Sequence, residues 1–316
     1  MAVRYVRVNP TVNLFAPVVR AFGNIAVVGR TTSVTAAVAE AVAFTNPDDA
    51  KDAVPGELGD AIALAFAQTP GPTLVYGVPV ASETPDWAGA LAAVAALNVQ
   101  LVVLANTPVT AETTPKDAPI KLLSDHVAAV SNTGSDGMER MGVAMLDKGK
   151  TDPKVIIANE RMVYIAHNSE EDAAAAVAGT IAGYAPSVSL LLKPVHITSA
   201  PFQPADIEVL NGPETSDSGP GGKGVNWLTT PALIPGNGVY MGEGYTGDPG
   251  HGKKFIDVVR FVDDVSFRLK AQLISSIGNV RITRSGLRAL VAQMEAILTP
   301  LVDADVLNGF QLVVPV

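Results

Sequence analysis

The sequence predicts an α/β protein: a mixed β-sheet core flanked by helices, a C-terminal helical hairpin, and extended N- and C-terminal strand arms. Three observations carry that prediction. From about residue 20 to 250, short apolar runs alternate with helical segments, the pattern of a mainly parallel or mixed sheet covered on its faces. Two long helical segments then follow over 253–305 with almost no break. Finally, Ala2–Val8 and the closing GFQLVVPV read as strands with no partner beside them in sequence. The 316 residues correspond to about two domains at ~150 residues each. The expected divisions are an arm at 1–19, a core at 20–250, a hairpin at 251–308 and an arm at 309–316.

The elements follow in order. Ala2–Val8 alternates Val-Arg-Tyr-Val-Arg-Val, and Pro10 and Pro17 keep the next stretch extended. Asn24–Gly29 is a buried strand. Asn46-Pro47-Asp48-Asp49 opens a helix with a cap, a proline in the first turn and acid at the positive end. A second helix spans Glu57–Gln68 and stops before Pro70-Gly71-Pro72. Thr73–Val80 is a strand, Asp86–Leu97 an Ala-rich helix and Val99–Ala105 a buried strand. Ile120–Val130 is helical, Met141–Leu146 a strand, and Val155–Ala158 and Met162–Ala166 strands or strand pieces. Ser169-Glu170-Glu171-Asp172 caps a helix to about Ile181, and Ser187–Leu192 is a further strand.

Between 211 and 252 the texture becomes Gly- and Pro-rich around the apolar Val225–Ile234. Helices are then expected over Lys253–Ile277 and Thr283–Asp305, turning at Gly278-Asn279. Phe255, Val258, Val262, Val265, Leu269 and Leu273 recur at three- and four-residue steps and form the expected core-facing stripe of the first.

Composition excludes several classes. With 48% hydrophobic and 17% charged residues, the chain is neither disordered nor built around a membrane span. The first residues lack an apolar secretory core, so nothing suggests export. There is no cysteine, hence no disulfide, thiolate metal site or Cys nucleophile. Of the four histidines, at 126, 167, 196 and 251, no two form a helical ligand pair. A net charge of −9 argues against nucleic-acid binding, yet the charge is uneven. Residues 253–293 carry eight basic and three acidic side chains, a balance of +5, so the remainder is −14.

Motifs of chemistry are few. Gly247–Lys254 matches a phosphate-binding loop up to its last position and runs into a helix, which would suit an anion. Lys254 stands where the Mg²⁺-binding hydroxyl belongs, and no long buried strand precedes the loop. Gly242–Gly247 satisfies GxGxxG without the helix and the later acid that give that spacing meaning. No Ser sits in a GxSxG elbow. Met138, Met141 and Met145 read as core filler, and Glu170, Glu171 and Asp172 as a helix start. No catalytic residue, cofactor or metal ligand is expected.

The order of features resembles the contractile tail sheath family of myophages and related injection machines. Ala21-Phe22-Gly23 with Ile25–Gly29 is similar to the segment that opens the family's core. Thr45–Ala50, followed by Gly59, Ala61, Ala65, Phe66 and the strand Thr73–Val80, resembles its next stretch. Asn159-Glu160-Arg161, Ala178-Gly179 and Ser189–Pro194 are similar to a later region. Gly238–Thr246 and then Phe255–Phe261 resemble the family's late "GaRT" and "vrR" segments, with Tyr245 where the family has Arg.

The resemblance implies a structural, non-enzymatic subunit that polymerises as stacked hexameric rings around an inner tube and contracts to drive the tube through an envelope. The implied partners are further copies of the chain, the inner tail tube protein, and baseplate and tail terminator proteins, with no nucleic acid and no membrane. The implied location is a virion tail or contractile particle assembled in the host cytoplasm. Val3, Tyr5, Val6, Val8, Phe310, Leu312, Val313 and Val314 are the expected inter-subunit arm residues. Arg281, Arg284 and Arg288, on one helical face, are expected to face the tube. Two other readings remain: a baseplate or shell component, and a nucleotide-binding enzyme using Gly247–Lys254.

Overall fold

The computed structural model describes residues 21–33, 39–110, 118–132, 137–212, 222–236, 238–274, 276 and 283–313. Among these residues the strands are β1 (Ile25–Arg30), β2 (Val42–Phe44), β3 (Val75–Val80), β4 (Leu101–Leu104), β5 (Met141–Met145), β6 (Met162–Ala166), β7 (Pro194–Val195), β8 (Val225–Thr229) and β9 (Val239–Met241). The helices are α1 (Pro47–Ala53), α2 (Glu57–Phe66), α3 (Trp87–Ala95), α4 (Pro119–Asn132), α5 (Ala173–Gly183), α6 (Pro204–Asn211), α7 (Ile256–Ile274) and α8 (Arg284–Asp303). The fold is α/β with a mixed sheet, as the sequence predicts.

One compact unit comprises Ala21–Asp263. Its strands form a single sheet in the order β2-β3-β1-β4-β5-β6-β8-β9-β7. The six from β3 to β8 run parallel, with Ile25 opposite Val75 on one side and Leu101 on the other. At one edge β2 pairs antiparallel with β3, and at the other β9 pairs antiparallel with both β8 and β7. A parallel sheet is covered on both faces, which is why its strands are apolar throughout rather than alternating with polar residues. Val27, Val103, Val143 and Val163 point into the layer that holds α1, α2 and α5. Their neighbours Val28, Val102, Ala144 and Tyr164 point into the layer of α3, α4 and α6.

Helix starts obey local chemistry. The Asn46 side chain accepts from Asp48 N at 3.0 Å, and Asp86 accepts from Gly89 N at 2.9 Å. Asp172, the last residue of the expected Ser169-Glu170-Glu171-Asp172 cap, accepts from Ala175 N at 2.9 Å at the start of α5. Other expectations shift. Residues 155–158 form no strand; a 3-10 turn at Pro153–Val155 leads into extended backbone. Ser187–Leu192 is a turn, with Leu190 buried and Leu192 at φ 55°, and the nearby strand is the short β7. The short elements β2 and α6 carry no expectation from the sequence.

The expected core-facing stripe of α7 is corrected more sharply. Phe255, Val258 and Val262 are 39%, 42% and 40% exposed, whereas Ile256, Val259, Arg260 and Asp263 are buried. The buried face is selected by polar anchors. Arg161 makes a two-pronged ion pair with Asp263 at 2.8 and 3.0 Å, and Arg260 donates to the carbonyls of Phe22 and Tyr184.

The other unit comprises 1–20 and 264–316. In its described part, Ser276 Oγ donates to Gln293 Oε1 at 2.8 Å, Arg268 pairs with Asp264, and Thr283 caps α8. The expected turn at Gly278-Asn279 lies outside the described residues.

α5 is buried on every side and is made of Ala, Gly, Val, Thr and Ile alone. Small side chains let it lie close to α2: a methyl group at Gly179 would overlap the carbonyl oxygen of Ala65 and the Gln68 side chain. The Ala65 oxygen is backbone and cannot rotate away. Gly179→Ala should therefore destabilise the fold by ~1–3 kcal/mol despite alanine's better helix propensity. Urea unfolding followed by circular dichroism measures this, and a stabilised variant would contradict the packing described.

Candidate functional site

The glycine-rich segment offers the sharpest chemical motif, and its geometry is internal scaffolding. Gly242 lies flat against the Trp227 indole, where a Cβ would overlap the ring. The buried Asn226 side chain accepts from Tyr245 N at 2.6 Å and donates to Tyr245 O at 2.9 Å and Tyr164 O at 3.2 Å. Tyr245 stacks on Phe255 with ring centroids 5.6 Å apart, and the Lys254 amine lies over both rings. The near phosphate loop, Gly247–Lys254, has its own carboxylate. Glu160 accepts from Lys253 N at 3.1 Å and lies 3.5 Å from Lys253 Nζ, the two groups that would hold a phosphate. Gly252 is the residue that admits it, since a Cβ there would approach Glu160 Oε2 to 2.5 Å. The chain fills this anion site with its own side chain.

A cavity of about 510 Å³ opens beyond the carboxyl ends of β1 and β4, where α/β enzymes bind ligands. Its lining includes Glu57, Asp60, Glu170, Glu171 and Asp172, with Lys51 and Asn106. The innermost carboxylate is already committed. Asp172 accepts from Asn106 N at 2.7 Å as well as from Ala175 N, and burial raises its pKa above the usual carboxylate value. The Glu170 carboxylate pairs with Lys148, and Glu171 accepts from Thr198 N at 2.9 Å. These acids join elements together, as their place at a helix start suggests.

The four histidines are dispersed. His167 is buried, with its ring nitrogens near Leu146 O and Ser169 N. His196 Nδ1 lies 3.0 Å from Ala67 O, and the exposed His251 lies beside Asp248. Among the described residues no group of three or more His, Asp or Glu side chains is placed to hold a metal ion. Met141 and Met145 are buried in β5 as filler.

The expected assembly residues lie away from all of this. Val3, Tyr5, Val6 and Val8 fall outside the described residues, as do Val314 and Arg281. Phe310, Leu312 and Val313 follow α8 outside any helix or strand of the described residues, with Phe310 38% and Val313 78% exposed. Arg284 and Arg288 are both exposed on α8, one helical turn apart, and among the described residues no carboxylate pairs with either. The exposed strip Phe255, Val258 and Val262 is a surface that sequence periodicity assigned to the interior. The signal that could have found it is the presence of Arg260 and Asp263, two charged residues that lie on the buried face.

No family model matches the chain, and no curated protein matches it in sequence. Solved structures match its fold over nearly all its length. The contracted helical sheath of the anti-feeding prophage is 14% identical, with a TM-score of 0.67 over 96% of this chain and 84% of the other. The contracted PVC sheath complex of an extracellular contractile injection system is 12% identical, with a TM-score of 0.68 over 98% and 85%. A sheath tail protein from Listeria innocua is 10% identical, with a TM-score of 0.63 over 91% and 86%. The chain has the fold of contractile sheath proteins.

One half-buried histidine should make stability depend on pH. Arg140 is buried and donates to the carbonyls of Val94 and Leu97 at 2.8 and 3.0 Å, closing the end of α3. Its Nη1 lies 3.4 Å from His126 Nε2. Burial, and then the Arg140 charge, lowers the His126 pKa from 6.5 to about 4. The unfolded chain therefore takes up this proton first. Stability should be complete above pH 6.5 and fall towards pH 4, by up to ~1.4 kcal/mol per unit. Unfolding curves across that range should show the loss, and His126→Gln should flatten it; an unchanged slope in the variant would assign the loss elsewhere.

Proposed function

We propose that the chain is a structural, non-enzymatic subunit of a contractile sheath that stacks as hexameric rings around an inner tube and contracts to drive that tube through a cell envelope. One observation carries the reading: a fold shared with sheath proteins across 96–98% of the chain. The committed state of each chemical motif agrees with it, since Glu160 fills the near phosphate loop and Asp172 the innermost part of the cavity. Work would come from alternative packings between subunits rather than from a bond made or broken in one of them. The partners on this reading are other copies of the chain, an inner tube protein, and baseplate and terminator proteins, in a tail or particle assembled in the host cytoplasm. Negative-stain imaging of the purified chain should show rings or helical tubes; persistent monomers at every concentration would refute a sheath role.

The arms are proposed as the links between subunits. An unpaired strand is a liability unless a neighbour supplies its hydrogen bonds, and strand addition gives directional contacts. Removing residues 1–8, which carry Val3, Tyr5, Val6 and Val8, should leave the sheet unit folded while abolishing polymers. Removing 310–316, which carry Phe310, Leu312, Val313 and Val314, should do the same. Circular dichroism and sedimentation separate folding from assembly, and normal polymers from both truncations would overturn the assignment.

The basic face is proposed to meet the tube. Arg281, Arg284 and Arg288 belong to the +5 segment of a chain that is otherwise −14. A single exposed ion pair contributes only ~0.2–1 kcal/mol, but repetition around rings and along a tube multiplies it, and weak contacts can slip during contraction. Reversing all three to Glu should make tube-templated assembly fail or depend steeply on salt, with the subunit still folded. Unchanged assembly would place this face in solvent.

A further inference from the structure

Three asparagines in the chain precede glycine: Asn211, Asn237 and Asn308. That dipeptide carries its own chemistry. The backbone nitrogen of the second residue can attack the side-chain carbonyl carbon of the first, and glycine, lacking a Cβ, leaves the approach open. The structure must also leave that nitrogen without a hydrogen-bond acceptor and let the backbone rotate. Asn237 lies outside the described residues. The other two differ on both requirements.

Asn211 is the last residue of α6, and Gly212 N donates to Glu208 O at 2.8 Å, closing the helix. The Asn211 Oδ1 atom is buried. Asn308 stands just past the opposite kind of ending. Val306 N and Leu307 N both donate to Leu301 O, at 2.9 and 3.0 Å, and complete the cap of α8. Beyond them Asn308 and Gly309 are exposed, and among the described residues neither has a hydrogen-bond partner. A Cβ added at Gly309 would meet nothing within 4 Å.

We infer that Asn308-Gly309 is a spontaneous modification site, where the Gly309 nitrogen closes on Asn308 Cγ and converts the asparagine to aspartate and isoaspartate. The Gly309 amide proton passes to solvent base as the N–Cγ bond forms. The Cγ–Nδ2 bond breaks, and Nδ2 leaves as ammonia after taking a proton from solvent. Water then opens the cyclic imide, its hydroxyl adding to one of the two carbonyl carbons and its proton going to the ring nitrogen. No oxidant, metal or enzyme is required.

Both products place a new carboxylate at the root of the segment holding Phe310, Leu312 and Val313. Isoaspartate also adds a main-chain carbon, which displaces the alternation of side chains on which strand register depends. The consequence for assembly rests on the arm reading proposed above; the chemistry at residue 308 does not. Aged subunits would lose the ability to polymerise while remaining folded.

The test uses the full chain, held folded at mildly alkaline pH and mapped over time by peptide mass spectrometry with isoaspartate methyltransferase labelling. Residue 308 should convert at least about tenfold faster than residue 211, the factor that an opening free energy of ~1.4 kcal/mol at a helix end supplies. Gly309→Ala should slow conversion at 308 by a similar factor, and urea should bring 211 up to the rate of 308. Equal rates at 308 and 211 in the folded protein would overturn the site. Sedimentation of the same samples reads the consequence separately: aged wild type should fail to polymerise where aged Gly309→Ala succeeds. Converted protein that polymerises normally would overturn the assembly effect and leave the modification standing.

Discussion

A parallel sheet cannot leave either face in water, and that constraint organises the chain. Six adjacent parallel strands, from β3 to β8, are apolar on both sides, so helices must cover two layers at once. On one side α5 must lie close against α2 while both cover the sheet. The sequence meets that demand by removing side chains: α5 is almost wholly Ala and Gly, and Gly179 and Gly183 bring it against the backbone of Ala65 and Pro70. Interiors so close-packed leave little room for a ligand cavity within the layers. The polar groups buried there, Gln68, Thr180 and Asn226, spend their hydrogen bonds joining one element to the next.

The same logic decides which way α7 turns. Fully burying a valine contributes on the order of 1.5–3 kcal/mol, and two valines of α7, 42% and 40% exposed, forgo part of it. Turning the helix to bury Val258 and Val262 would expose the Asp263 partner and strand Arg161, which is itself largely shielded from solvent. Breaking such a pair by removing one member costs about 3–5 kcal/mol, and Arg260 would lose two carbonyl acceptors in addition. Polar anchoring outweighs the apolar stripe. The result is a partly exposed apolar strip along α7.

Much of this architecture is legible from residues alone, for stated reasons. β1, β4, β5 and β6 are apolar runs between helix signals, and Asn46, Asp86 and Pro47 mark helix starts by local chemistry. What escapes notice depends on distant partners. β2 is three residues long, two of them exposed, and exists because β3 lies beside it. Ser187–Leu192 is apolar enough for a strand, but Leu190 alone turns inward while Leu191 and Leu192 face solvent. The Gly-rich near phosphate loop could not be dismissed by spacing, because the decisive residue, Glu160, lies 93 positions away from Lys253. The arm residues at the amino end, and Arg281 and Val314, are outside what the structure describes, so their role rests on pattern and resemblance.

The places where an α/β protein ordinarily keeps its chemistry are occupied by the chain itself. At the carboxyl ends of β1 and β4 the Asp172 carboxylate closes on Asn106 N and Ala175 N; at the loop before α7 the Glu160 carboxylate closes on Lys253. At both positions the chain's own carboxylate ties one element to another. A parallel ladder cannot be rearranged without unfolding, so the sheet is the fixed part of the chain. Groups whose hydrogen bonds and charges the sheet does not use lie outside that ladder. In the described part of the chain, Phe310, Leu312 and Val313 beyond the α8 cap and the exposed Arg284 and Arg288 are such groups. Internal hydrogen bonds and ion pairs, rather than an open reactive site, are what the sheet unit makes of Asp172, Asn226 and Glu160.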